Sequence, residues 1–266
     1  MASLTRAWLA FTVWLNAHLE SAAVRLTHIT GKSPVPLHPK HLSANESHWW
    51  YLTELRPENR LLDIGCGSGS HTSRAAECVT HAAGMDYDRS ALRSAQQIAA
   101  APGYKPAFVQ ASAEAPLPFC GAAFDTVLLL DVIEHLHGRI PLLQEIHRVL
   151  RPDGHLLLSA PNRDTSWKRR LRSVGLDEYA DPDHKIEYNL DELLGELAVG
   201  GFELQQEPQL TVYDTPWAAL IDLVGGLSLS LYRRLAMWKV RQAQAHPQET
   251  TGWRLACRRL PSSPAD

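Results

Sequence analysis

Between Arg60 and Pro161, short apolar runs alternate with helix-forming stretches, and this alternation restricts the fold more than any other feature of the chain. Arg60 to Ile64, Ala82 to Asp86, Ala107 to Gln110, Phe124 to Leu130 and His155 to Ser159 read as strands. Ser70 to Cys78, Arg89 to Ala100 and Ile140 to Leu150 read as the helices between them. Val127-Leu128-Leu129-Leu130 is apolar at every position, as a strand is when both faces of its sheet are covered. Arg151-Pro152-Asp153-Gly154 reads as a turn. The expectation is an α/β fold with a doubly wound, mostly parallel sheet. A content of 45% hydrophobic and 21% charged residues over 266 positions suits one elaborated domain, and excludes collagen, coiled coil and wholesale disorder.

The flanks read differently. Leu4, Trp8, Phe11, Leu15, Leu19, Ala22 and Leu26 recur at spacings of three and four, which predicts one amphipathic helix with an apolar stripe, stopped by Gly31. Ser33-Pro34-Val35-Pro36 and Pro39 make an extended linker. After Pro161, residues 163–189 are polar and mixed. A helix from Leu190 to Leu197 capped by Asn189 follows, then a strand from Phe202 to Gln206, a helical insert over 213–250 and a last strand from Gly252 to Arg259. The expected organisation is an N-terminal helix and linker over 1–45, a core over 46–162, lid elements with the second half of the sheet over 163–260, and a tail over 261–266.

Lys plus Arg total 26 against 29 Asp plus Glu, a formal charge of -3 that argues against a nucleic-acid partner. Cys66, Cys78, Cys120 and Cys257 are scattered and contain no CxxC pair, so a zinc ribbon, a redox pair and a disulfide framework are not expected. Free thiols suit a reducing, cytoplasmic setting. The apolar run after Arg6 is too short for a membrane span and lacks a cleavage site, so no signal peptide is expected and Asn45-Glu46-Ser47 reads as a chance sequon.

Leu61 to Ser70 reads LLDIGCGSGS: an apolar strand runs into Gly65, Gly67 and Gly69 and then into a helix. Glycine permits a tight turn and lets a ligand touch the backbone. Asp86 ends the next strand, 19 residues beyond Gly67, where a carboxylate can accept hydrogen bonds from both ribose hydroxyls of a nucleoside. A nicotinamide fingerprint wants glycine at the sixth position counted from Gly65, and that position is Ser70. Glycine stands at the fifth position instead.

With LLDIGCGSGS, three further stretches carry a resemblance: GMDYDRSAL at 84–92, LPFCGAAFDTVLLLDVIEHL at 117–136, and LLQEIHRVLRPDGHLLLSAPN at 142–162. Together they resemble the class I S-adenosylmethionine (SAM)-dependent methyltransferases, in the type 11-like branch that includes quinone-pathway enzymes. The resemblance implies a seven-stranded Rossmann-like sheet with a reversed last strand, and SAM as cofactor. No metal-ligand spacing is evident, so no metal is expected, with Glu134 beside His135 as the one opening for it. The resemblance also implies that Asp63 orients the loop near the methionine ammonium, and that Gly65, Cys66, Gly67 and Gly69 line the methionine and ribose. Asp86 would hold the ribose, Tyr87 and Ala113 would flank the adenine, and Ser112 stands where many relatives have an Asp that accepts from the adenine amino group. Asp131, Val132 and the residues to His135 would lie over the sulfonium.

His135 is a candidate base for a hydroxyl nucleophile, since an imidazole titrates near neutrality; the plainer reading is a residue that starts a helix. His184, in Asp183-His184-Lys185-Ile186-Glu187-Tyr188, is a second candidate, with a solvated loop residue as the alternative. His48-Trp49-Trp50-Tyr51 reads as a lid over the cofactor or a cover for the sheet edge. Cys66 reads as a buried filler. Arg163, Lys168, Arg169, Arg170 and Arg172, and then Arg233, Arg234, Lys239 and Arg241, read as solvated faces, with peripheral membrane contact as the alternative. The expectation is O-methylation of a small, partly hydrophobic acceptor such as a quinone precursor or a glycolipid, by an enzyme whose helical elements form a substrate lid. The rival is a SAM-binding scaffold without turnover.

Overall fold

The computed structural model describes residues 2–43, 48–98, 106–179 and 181–261. The sequon at 45–47, Ala99, Ala100 and all of the tail beyond 261 lie outside the described residues. In chain order the helices are α1 (Ala2–Ile29), α2 (Pro39–Leu42), α3 (Ser70–Ala75), α4 (Arg89–Ile98), α5 (Arg139–Val149), α6 (Ser166–Ser173), α7 (Leu190–Val199), α8 (Ala218–Leu227) and α9 (Leu229–Ala245). The strands are β1 (Arg60–Ile64), β2 (His81–Asp86), β3 (Ala107–Gln110), β4 (Phe124–Leu130), β5 (Leu150–Pro161), β6 (Phe202–Leu204) and β7 (Gly252–Arg259).

These strands follow the order β3-β2-β1-β4-β5-β7-β6, and a two-residue strand, Gln209–Leu210, pairs with β7 off that path. The strands β1 to β5 pair in parallel, and β7 runs antiparallel to β6. Leu61, Leu62, Ile64, Val127, Leu128, Leu129, Leu156, Leu157 and Leu158 are fully buried, which explains the unbroken apolar runs. The reversal of direction lies between β1 and β2 on one side and β1 and β4 on the other, where open α/β sheets bind ligands at the carboxyl ends of their strands.

The chain divides into two compact units. The sheet unit takes residues 50–161, 183–209 and 253–266; the helical unit takes residues 1–49, 162–182 and 210–252. In the sheet unit, Trp50 and Tyr51 are buried, and the Tyr51 hydroxyl donates to the His71 carbonyl at 3.2 Å. Asn189 and Glu192 form a reciprocal capping box that starts α7. In the helical unit, α8 packs on α1, and a Cβ on Gly226 would meet the Leu26 Cβ at 2.8 Å. Glycine at that crossing lets the two backbones approach closely.

Two expectations need correction, at 163–189 and at 151–154. The apolar stripe of α1 is covered only in part: Leu4, Trp8 and Phe11 are exposed, while Leu9, Thr12, Ala23 and Thr27 are buried. A ten-residue α8, about 15 Å long, cannot cover a helix of about 42 Å. Residues 163–189 contain a helix, α6, whose Thr165 cap accepts from the Lys168 amide. Arg169, Arg170 and Arg172 are exposed, as a solvated face requires, but Lys168 is buried with its Nζ donating to the Asn162 carbonyl, and Arg172 pairs with Glu178 at 2.8 Å. Finally, the turn at 151–154 is absorbed into β5: the register jumps from Leu150 opposite Phe124 to His155 opposite Thr126, and Asp153 holds φ at 65°.

Candidate active site

At the carboxyl end of β1 the chain folds back on β2. The Gly65 and Cys66 amides both donate to the Met85 carbonyl, at 2.8 and 3.0 Å. Gly65, Gly67 and Gly69 hold φ at 71°, 51° and 73°, in the left-handed region that side chains disfavour. Their surroundings differ. A Cβ on Gly65 would sit 2.5 Å from Val132 Cγ2, and one on Gly69 2.7 Å from the Ala95 Cβ. A Cβ on Gly67 would meet nothing within 4 Å. Two glycines therefore serve packing, and the middle one leaves bare backbone facing open space.

Asp86 ends β2 and ties this loop down. Its Oδ2 accepts from the Gly67 amide and its Oδ1 from the Asp88 amide, each at 2.8 Å. A carboxylate offers about four acceptor positions, so two remain. Tyr87 beside it is 77% exposed. Asp63 is buried on the neighbouring strand β1, where Oδ2 accepts from Thr72 Oγ1 at 2.6 Å. Desolvation pushes the Asp63 carboxyl up to about 7, against the Thr72 hydrogen bonds that favour its anion. Burial likewise raises the Cys66 thiol well above its ordinary range, which suits a filler and not a nucleophile. Ser112 Oγ accepts from the Glu114 amide at 3.1 Å, so this hydroxyl closes its own turn and has one acceptor position and its proton left. Ala113 is half-buried beside it.

The end of β4 supplies the second wall. Asp131 is an exposed non-glycine residue at φ 55°, a strained conformation of the kind found at functional sites. It is held there by Ser159, whose hydroxyl donates to Asp131 Oδ1 at 2.7 Å. Val132 packs over Gly65. The turn Ile133–His135 then carries Glu134, buried, and His135, half-buried. The Lys185 and Ile186 amides donate to the Glu134 carbonyl at 2.7 and 3.2 Å, which draws His184 beside His135. The two imidazoles lie 4.7 Å apart, edge to face. His184 Nδ1 is 2.9 Å from Oε1 of the fully buried Glu187, and its Nε2 is 4.0 Å from Glu134 Oε1. Residues 49 positions apart thus form one cluster.

Residues 62–158 match a family described as "Methyltransferase domain". A protein of Mycolicibacterium smegmatis named "Probable S-adenosylmethionine-dependent methyltransferase" is 31% identical over 194 residues, 70% of this chain and 70% of that protein. The chain belongs to the S-adenosylmethionine-dependent methyltransferases. This methyltransferase is also 29% identical to the "27-O-demethylrifamycin SV methyltransferase" of Amycolatopsis mediterranei, over 73% of the chain and 70% of that protein. It is 28% identical to a "Ubiquinone biosynthesis O-methyltransferase" of Vibrio cholerae, of whose length it spans 43%. A solved SAM-dependent methyltransferase of Methanosarcina mazei shares the fold at a TM-score of 0.56, with 19% identity over 79% of this chain and 96% of that one.

The methyltransferase uses SAM, and its residues fit that group: the open backbone at Gly67 and the two spare acceptor positions of Asp86 suit a nucleoside whose sugar needs a carboxylate. Three contributors escaped sequence reasoning. Glu187 lies three residues after His184, a spacing that any helix or turn could produce by chance. Ser159 meets Asp131 only through the β4–β5 register. Arg254, on β7, is half-buried, and desolvation lowers it to about 10 while the Asp131 charge opposes that shift; nothing local announces this electrostatic coupling. The ligand atoms of Glu134, His135 and His184 also lie within 4.8 Å of one another, close enough to share a cation; the sequence offered the adjacent Glu134 and His135, but not His184 beside them.

Proposed function

We propose that this methyltransferase moves the methyl group of SAM to a hydroxyl oxygen of a small, partly hydrophobic acceptor. The observation that carries the reading is the clamped histidine beside a second one: Glu187 on His184 Nδ1 at 2.9 Å, with His135 at 4.7 Å. When Nδ1–H donates to Glu187, the neutral ring keeps its lone pair on Nε2. Such a nitrogen can take the proton of a hydroxyl as it becomes a nucleophile, and the buried carboxylate then stabilises the imidazolium. The names of the Amycolatopsis and Vibrio relatives, both O-methyltransferases, favour oxygen as the attacked atom and support an acceptor of quinone-precursor character.

The bound cofactor supplies an electrophilic methyl on a sulfonium sulfur. The chain's part is positioning, since an in-line displacement gains most from holding the two reactants together. In this reading the backbone of Gly65, Cys66, Gly67 and Gly69 floors the site and Asp86 holds the ribose. Tyr87, Ser112 and Ala113 flank the adenine, Asp63 faces the ammonium, and Asp131 with Val132 borders the sulfonium. His135 or His184 accepts the acceptor's proton.

Purified enzyme, labelled SAM and a cell extract test this. Label is expected in material that partitions into organic solvent. His135→Ala or His184→Ala should lower the rate roughly 10²- to 10⁴-fold while SAM affinity by calorimetry is preserved. Label confined to water-soluble products, or full rate in both variants, counts against the reading. Glu134, His135 and His184 stand near enough together to hold a cation, and loss of rate on chelation would support a metal-assisted variant.

A further inference from the structure

We propose that the helical unit docks on an anionic phospholipid surface through α9. This helix carries Arg233, Arg234, Lys239 and Arg241 and no carboxylate. Lys239 is withdrawn into the unit, where burial lowers its ammonium and Asp222 and Asp214 oppose that effect. The three arginines stay on the solvent side, and none forms an ion pair among the described residues. Leu231, Arg234, Trp238 and Arg241 follow at helical spacing along one exposed stripe, with Met237 beside them. Leu231, Met237 and Trp238 are 45%, 40% and 45% exposed. The solvent face of a helix is ordinarily polar; this one alternates large apolar groups with arginines.

Charge decides which occupant fits. A wholly apolar partner would strip water from three guanidiniums and return nothing. An anionic bilayer meets both halves of the stripe: phosphates take the guanidiniums, while the arginine stems, the indole and the aliphatic groups sink to the acyl boundary. Nucleic acid would meet the arginines and stack on Trp238, but would leave Leu231 and Met237 without a partner. A second helix of the same unit supports the lipid: α1 exposes Leu4, Trp8, Phe11 and Trp14, with the Phe11 and Trp14 rings stacked at 5.8 Å. Aromatic residues of this kind settle at the headgroup level of a membrane.

Co-sedimentation of the full chain with vesicles tests the proposal. Binding is expected to phosphatidylcholine vesicles containing phosphatidylglycerol at low salt, at least about tenfold tighter than to phosphatidylcholine alone, and should fall as salt rises. The double variant Arg234→Glu with Arg241→Glu should lose at least about tenfold in partitioning, and Trp238→Ser should weaken it as well. Both variants should keep the thermal stabilisation by S-adenosylhomocysteine, which shows that they are folded and that the cofactor site is intact. No binding to anionic vesicles, equal binding by the charge-reversed chain, or retention on single-stranded RNA in place of vesicles would each overturn the proposal.

Discussion

Asp63 ties stability to pH and, on the proposed function, to the cofactor as well. Its folded pKa, about 7, stands above the ordinary value of 3.8 because the carboxyl is buried. The protonated form is therefore the one the fold favours. The contribution of this group to stability is complete below about pH 4 and is lost as pH rises through about 7. The unfolding temperature of the cofactor-free protein should carry a component that falls between about pH 4 and pH 7, and Asp63→Asn should flatten it. An ammonium beside Asp63 would favour the anion, so SAM binding between about pH 6 and pH 7 should release a proton. Calorimetry in buffers of different ionisation enthalpy reads that proton; none released removes Asp63 from the methionine end. The position of Asp63 two residues ahead of Gly65 was legible in the sequence. Its hydrogen bond to Thr72 was not, because that contact depends on where α3 leaves the loop.

The elements were legible in proportion to their periodicity. Strands β1, β3, β4 and β7 have the limits that their apolar runs announce, and β6 ends two residues early. Helix α6 escaped because five basic residues in and near it hide a pattern carried by Trp167 and Leu171 alone. The covered part of α1 was not legible for a different reason: periodicity locates a stripe, but only the length and placement of a neighbour say which part of it is covered. The glycine loop gives the prediction at this scale. Gly65→Ala should destabilise the fold by about 2–4 kcal/mol, combining a positive φ with a crowded Val132. Gly67→Ala should cost about 1 kcal/mol in urea unfolding, yet lower SAM affinity at least about tenfold, because its new methyl projects into the open cradle. Equal effects on stability and binding in both variants would contradict the division of roles.

For the whole molecule, the claim is that a nucleoside cradle stabilises the folded chain when filled. S-adenosylhomocysteine at about a hundredfold excess over its Kd should add roughly 2.7 kcal/mol, a rise of several degrees in unfolding temperature. NAD should add nothing, and Asp86→Ala should abolish the rise, since the carboxylate both pins the Gly67 amide and offers the remaining acceptor positions. A rise with NAD, or one that survives Asp86→Ala, would place the ligand elsewhere.

The alternation of strand and helix, the glycine loop and its acidic partner are local facts. Their physics acts between residues near in sequence, through strand burial, backbone conformation and the end of one βα unit, so the residues by themselves determined the sheet class and a nucleoside loop, and the resemblance they carry named the cofactor. The meeting of Glu187 and His184 with Glu134 and His135, of Ser159 with Asp131, and the exposure of α1 and α9 belong to the tertiary structure alone. Those arrangements follow from strand register, from backbone hydrogen bonds across about fifty residues and from the area one helix can cover, and no local pattern encodes any of the three.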